Sequence, residues 1–151
     1  MRVTIYSDGA CSGNPGSGGY CAILKCNGSE KIVSGYEEDT TNNRMELTAV
    51  IEGLKLLNTH CEVTVISDSK YVCDAVNQNW LQNWKCNGWR KSNHKPVLNT
   101  DLWQELDALL ETHKVVFQWI QGHVGHPENE RCDKIAVSEY TQHKKTSRSL
   151  I

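Results

Sequence analysis

The run Glu62-Val63-Thr64-Val65-Ile66-Ser67 reads as a buried strand: six residues, rich in β-branched side chains, closed by Asp68. Upstream, residues 43–58 carry Leu47, Val50, Ile51, Leu54 and Leu57 at helical spacing, the apolar stripe of an amphipathic helix. Residues 2–8 alternate, with Val3, Ile5 and Ser7 on one side and Arg2, Thr4 and Tyr6 on the other, as a strand does. Strand, helix and strand in that order favour a crossover between parallel strands, so residues 62–67 are expected beside residues 2–8.

Between the first strand and the helix, residues 8–19 are rich in glycine with one proline and read as a loop. Residues 20–26 and 30–36 read as two strands joined through Asn27-Gly28, a dipeptide suited to a type I′ hairpin. Downstream, short helices are expected from Ser69 and over 80–86. An amphipathic helix follows over 101–110, through Leu102, Leu106, Leu109 and Leu110, then a strand over 114–120. A final helix is expected over 127–142, with Pro127 in its first turn. The sum is an α/β fold: a five-stranded mixed sheet, three antiparallel strands followed by two parallel ones, flanked by helices. Residues 1–142 form one domain, and 143–151 a polar, basic, flexible tail.

The chain has 151 residues, enough for one real core, with 23% charged and 38% apolar residues, which excludes a disordered class. No stretch approaches the roughly 20 apolar residues of a membrane span, and the first eight residues lack the apolar centre of a secretory signal, so a cytoplasmic monomer is expected. The seven cysteines show no C-x-x-C pair and read as free, packed thiols. Net charge is −2, yet residues 80–95 hold Lys85, Arg90, Lys91 and Lys95 and no acid, leaving 12 basic against 18 acidic residues elsewhere. A basic patch on an acidic body suits a polyanionic partner.

Four acids stand out by position. Asp8 ends the first strand and Asp68 the fourth, and parallel neighbours bring such side chains together outside the carboxyl ends of a sheet. Glu46 lies in the first turn of the long helix and Asp133 within the last one. Each also has an ordinary explanation: Asp8-Gly9 as a turn, Glu46 as a capping-box partner of Asn43, Asp68 as a helix cap, Asp133 as a solvated helix residue. If they converge, two carboxylates about 5 Å apart repel by roughly 3 kcal/mol at an effective dielectric of 20. A cluster of four must then take up protons or hold hard cations such as Mg²⁺ or Mn²⁺.

The motifs carrying these acids together resemble ribonuclease H type 1 in its bacterial form. They are Ser7-Asp8-Gly9-Ala10-Cys11-Ser12-Gly13-Asn14-Pro15-Gly16, Thr40-Thr41-Asn42-Asn43-Arg44-Met45-Glu46-Leu47, Ser67-Asp68-Ser69 with Tyr71-Val72, and Gly122-His123-Val124-Gly125-His126-Pro127-Glu128-Asn129-Glu130-Arg131-Cys132-Asp133. The resemblance covers the chain to about residue 140. It implies hydrolysis of the RNA strand of RNA–DNA hybrids with two Mg²⁺ ions, Mn²⁺ as a substitute, leaving 5′-phosphate and 3′-hydroxyl ends. Asp8 and Asp68 would be central metal ligands, completed by Glu46 and Asp133, with His123 assisting proton transfer or product release and His126 shaping its loop. Asn14, Thr41, Asn42 and Asn43 would contact the hybrid. The segment 80–91 resembles the family's basic protrusion, or handle, with Trp80, Trp84, Lys85, Trp89, Arg90 and Lys91 as substrate contacts. Three departures stand out: Cys86 and Asn87 at handle positions often basic in relatives, Lys70 two residues after Asp68, and the C-terminal tail.

Overall fold

A computed structural model of the chain describes residues 1–122 and 125–149. The sheet contains β1 (Arg2–Cys11), β2 (Gly16–Cys26), β3 (Ser29–Thr40), β4 (Glu62–Ser67) and β5 (Lys114–Trp119), in the order β3-β2-β1-β4-β5. β1 pairs antiparallel with β2 and parallel with β4, β2 pairs antiparallel with β3, and β4 pairs parallel with β5. This is the expected mixed sheet. Asn27 and Gly28 both have positive φ, 49° and 80°, as a type I′ turn requires, and Cys26 pairs with Ser29 across them.

Five helices flank the sheet: α1 (Asn42–Lys55), α2 (Lys70–Asn77), α3 (Trp80–Cys86), α4 (Thr100–Thr112) and α5 (Pro127–Ser149). The main core lies between one sheet face and α1, α2 and α4. It joins Val3 and Ile5 of β1, Val63 and Val65 of β4 and Phe117 of β5 to Leu47, Val50, Ile51 and Leu54 of α1. These four α1 side chains are at most 1% exposed, and burying each contributes about 1.5–3 kcal/mol. Trp103 of α4 is fully buried beneath them. A smaller core under α5 holds Cys21, Ile23, Cys132 and Ala136. The alternation of β2 explains the division: Ala22 and Leu24 face the first core, Cys21 and Ile23 the second. All seven cysteines are free thiols.

Several boundaries differ from the sequence reading, among them the end of β3, which runs to Thr40 rather than 36, and the end of α1, at Lys55 rather than 58. The expected loop over 8–19 is mostly strand, because β1 and β2 stay paired through Asp8↔Cys21, Gly9↔Tyr20, Ala10↔Gly19 and Cys11↔Gly18. The glycines there mark close packing rather than a turn. α1 starts one residue earlier than expected, capped by Thr41, whose hydroxyl accepts from the Arg44 amide at 3.3 Å; the expected capping box between Asn43 and Glu46 is therefore absent. α5 continues past residue 142 to Ser149, since no glycine or proline interrupts 143–149.

Candidate active site

The pairing of β1 with β4 ends at Tyr6↔Ile66, while β1 runs on against β2 to Cys11. Asp8 thus sits where one edge of β1 comes free, with Asp68 just past the end of β4. Such a fork, where the sheet switches from parallel to antiparallel pairing, leaves side chains from two strand ends facing one crevice. Gly9 lets α1 approach: a Cβ there would stand 2.5 Å from the Glu46 amide nitrogen. Glu46 is thereby pressed against Asp8, at 5% exposure and 3% for Asp8.

Ligand oxygens of Asp8, Glu46 and Asp68 lie within 4.8 Å of one another. Asp133, on α5, stands outside that trio but lines the same cleft of 460 Å³, along with Asn42, Asn43, Lys70 and Tyr71. The ordinary explanations of three acids do not hold. Asp8 is within a strand, not a turn, with its Oδ1 accepting from the Gly9 amide at 2.9 Å. Glu46 lies beyond the capping turn. Ser69, not Asp68, caps α2, its hydroxyl accepting from the Val72 amide at 3.2 Å.

The crowding shows in the acid–base chemistry. Burial, then the Asp68 charge, pushes the Asp8 carboxyl up to about 7, with Asp133 adding to the rise and hydrogen bonds from Glu46 and the Gly9 amide opposing it. Burial, then the Asp8 charge, holds Glu46 well above the usual carboxylate range. Both carboxyls are thus biased toward their neutral forms, by the same burial and mutual repulsion. Glu46 Oε2 is buried with no hydrogen-bond partner. An orphaned carboxylate oxygen beside two more carboxylates fits an oxygen-liganded divalent cation, which would satisfy that atom and offset the repulsion.

Around the cleft, Asn14 lies across from the start of α1, its Oδ1 accepting from the Asn42 amide at 3.2 Å. Asn42 and Asn43 are exposed, while Thr41 is taken up by its cap. His123 lies outside the described residues; the His126 carbonyl accepts the first helical bond of α5, from the Glu130 amide at 3.0 Å.

In the handle, Trp80 is 42% exposed. Trp84 and Trp89 pack against the main core, Trp84 edge-on to Trp103 with centroids 5.4 Å apart. Lys85 is bound to two α4 carboxylates, Asp107 at 3.1 Å and Glu111 at 2.6 Å. Arg90 donates to the His94 carbonyl at 3.0 Å, and Lys91 is exposed.

The sequence reading places Tyr71, with Val72, in the third of the resembling motifs but gives it no role. Its hydroxyl accepts from the Trp103 indole at 2.9 Å and from Asn99 Nδ2 at 3.1 Å, and Asn99 Oδ1 in turn accepts from Arg44, which forks onto Asp101. This chain ties the floor of the cleft to α1 and α4. A tyrosine at the second position of α2 gives no local signal of it.

The family model for RNase H matches residues 1–141. A ribonuclease H of Nitratidesulfovibrio vulgaris (strain DP4) is 54% identical over 137 residues, 91% of this chain and 88% of that protein. A ribonuclease H of Escherichia coli O139:H28 is 53% identical over 135 residues, 89% of this chain and 86% of that protein. Among solved structures, LC9-RNase H1, a type 1 RNase H with the type 2 active-site motif, superposes with a TM-score of 0.81 at 33% identity, covering 93% of this chain and 72% of that one. Carboxylates gathered at the sheet fork, on a chain matched from residue 1 to 141, place the protein in the ribonuclease H family.

Proposed function

We propose that the chain is an endonuclease that hydrolyses the RNA strand of RNA–DNA hybrids in a two-metal site, leaving 5′-phosphate and 3′-hydroxyl ends. The observation that carries this reading is the convergence of Asp8, Glu46 and Asp68 within 4.8 Å around a buried, unpartnered oxygen. Asp8 and Asp68 are the central ligands in this reading, and Glu46 and Asp133 complete the set. Divalent cations held there, Mg²⁺ or Mn²⁺, supply the positive charge that activates a water and steadies the departing oxygen of a phosphodiester. Such cations would favour the ionised carboxyls of Asp8 and Glu46 and so oppose the rise that burial imposes on both. His123, four residues before Pro127 in the sequence, is the candidate for proton transfer or product release.

Hybrid recognition follows from the surroundings. Asn14, Asn42 and Asn43 offer amides to the minor groove, where 2′-hydroxyls separate RNA from DNA, with Thr41 beside a phosphate of the DNA strand. Trp80, Arg90 and Lys91 form the contact surface of the handle, and Trp84, Trp89 and Lys85 hold that segment in shape. A hybrid-bound structure of the fold, that of LC11-RNase H1 in complex with RNA/DNA hybrid, has a TM-score of 0.73 at 22% identity and speaks for the fold alone. No helix among the described residues is long and apolar enough to cross a membrane; a cytoplasmic monomer, with residues 143–151 as an appended basic tail, completes the reading.

The test is cleavage of an end-labelled hybrid, with single-stranded RNA, double-stranded RNA and double-stranded DNA alongside, in Mg²⁺ and in EDTA. Mg²⁺-dependent cuts confined to the hybrid's RNA, with 5′-phosphate ends, are expected. A folded protein that leaves the hybrid intact in both Mg²⁺ and Mn²⁺ overturns the proposal.

A further inference from the structure

Among the described residues, Lys70 is the one cation that lines the carboxylate cleft. It is the first residue of α2, directly after the cap Ser69. A helix N-terminus is the positive end of the macrodipole, so a lysine there stands at the wrong end for stability. Its neighbours do not account for it by charge. Among the described residues, Lys70 is in no ion pair, although Asp8, Glu46, Asp68 and Asp133 line the same cleft.

Its ammonium is instead held over the Trp119 ring, 4.9 Å from the centroid. That indole is itself fixed, because its Nε1 donates to the Asp68 carbonyl at 2.9 Å. The residue is exposed at the rim of the cleft. A local rule of helix design is thus broken at the mouth of the site, where a breach signals function.

We propose that Lys70 is a substrate-positioning residue whose ammonium, steadied by the Trp119 face, binds a phosphodiester group of the strand that enters the carboxylate cleft. The inference rests on the function proposed above and adds a phosphate contact on the α2 side, opposite the asparagines of α1. A fixed cation there offsets the repulsion that four acids exert on an approaching phosphate. Its contribution is to binding, not to the chemical step.

The experiment measures binding of a fluorescein-labelled RNA–DNA hybrid by anisotropy from 50 to 200 mM salt in Mg²⁺, in an Asp8→Asn background that prevents cutting. Lys70→Met is expected to raise Kd about 3- to 10-fold at the low end and to reduce the log–log salt slope by about one. Lys70→Arg, which keeps both the charge and the ring contact, is expected to restore both. With Asp8 in place, Lys70→Met should raise KM while kcat stays within about two-fold. Unchanged Kd and slope in Lys70→Met overturns the proposal, and so does an equal loss in Lys70→Arg, which would point to packing rather than charge. A parent protein that binds no hybrid overturns the proposed function itself; a parent that binds, with a methionine variant that binds equally, overturns only the role of Lys70.

Discussion

Gly19 of β2 lies directly beneath the Ala136 carbonyl of α5, with no space between them for a Cβ. α5 carries Asp133 three residues before Ala136, so this contact sets how far Asp133 reaches over Asp8. Gly19→Ala forces the helix away from the sheet. The expected outcome is a loss of about 1–3 kcal/mol in denaturant unfolding, with a fall in kcat that added Mg²⁺ only partly restores. A stable variant with normal turnover would show that the spacing of α5 is not what positions Asp133.

The four acids divide into a buried pair and a more open pair. Asp8→Asn or Asp68→Asn should lower cleavage at least about 100-fold while hybrid binding persists, since removing a charge here also removes repulsion of the phosphate. Single-turnover cleavage beside anisotropy separates the two effects. Near-normal turnover in either variant contradicts the two-metal assignment.

Asp8 supplies a pH dependence with a defined sign. Its carboxyl is raised from 3.8 to about 7 in the folded, metal-free protein, so the native state binds more protons than the unfolded chain between those values. Stability is then greatest below about pH 4 for this group and is lost as pH rises through about 7, on the order of a few kcal/mol. Glu46 acts in the same direction. His113, lowered by burial and then by His60, acts oppositely, losing stability as pH falls through the ordinary histidine range. Unfolding of wild type and Asp8→Asn in EDTA, at pH 5 and pH 8, isolates the carboxylate part: the wild type should gain on the variant at pH 5. Excess Mg²⁺ should abolish that gain, because it binds the deprotonated cluster.

The handle lysines are expected to differ. Lys91 is exposed, so Lys91→Ala should weaken hybrid binding and reduce the salt slope by about one. Lys85 is engaged by Asp107 and Glu111, so Lys85→Ala should leave the slope nearly unchanged and stability little altered, since exposed ion pairs contribute little. Equal slopes in the two variants would refute this division of labour.

Local chemistry made much of this legible. Asn27-Gly28 dictated its hairpin, the apolar run 62–67 its strand, and the stripe of α1 its buried face. What sequence alone concealed depends on contacts between distant residues. Residues 8–19 look like a loop because glycine is the residue of turns, yet here it makes room for α1 and α5. Lys85 looks like a free cation because Asp107 and Glu111 lie on another helix. The four acids were each ambiguous alone, and became specific only through the order of whole motifs. Thr41 and Asn43 competed for the cap of α1, and the hydroxyl prevailed, which moved Glu46 out of the first turn and into the buried interior.

The segment between α2 and α4 begins and ends on left-handed asparagines, Asn79 at φ 63° and Asn99 at φ 60°. Asn99 is also bonded to Tyr71 and Arg44, so the chain is clamped to the scaffold as it leaves the handle. The stretch between these two turns is rooted in the core through Leu81, Trp84, Trp89 and Val97, while Lys91 stands outside it. Its outer charges can therefore be rewritten by evolution or an engineer while the rooted side chains hold its shape and the carboxylate cleft keeps its own.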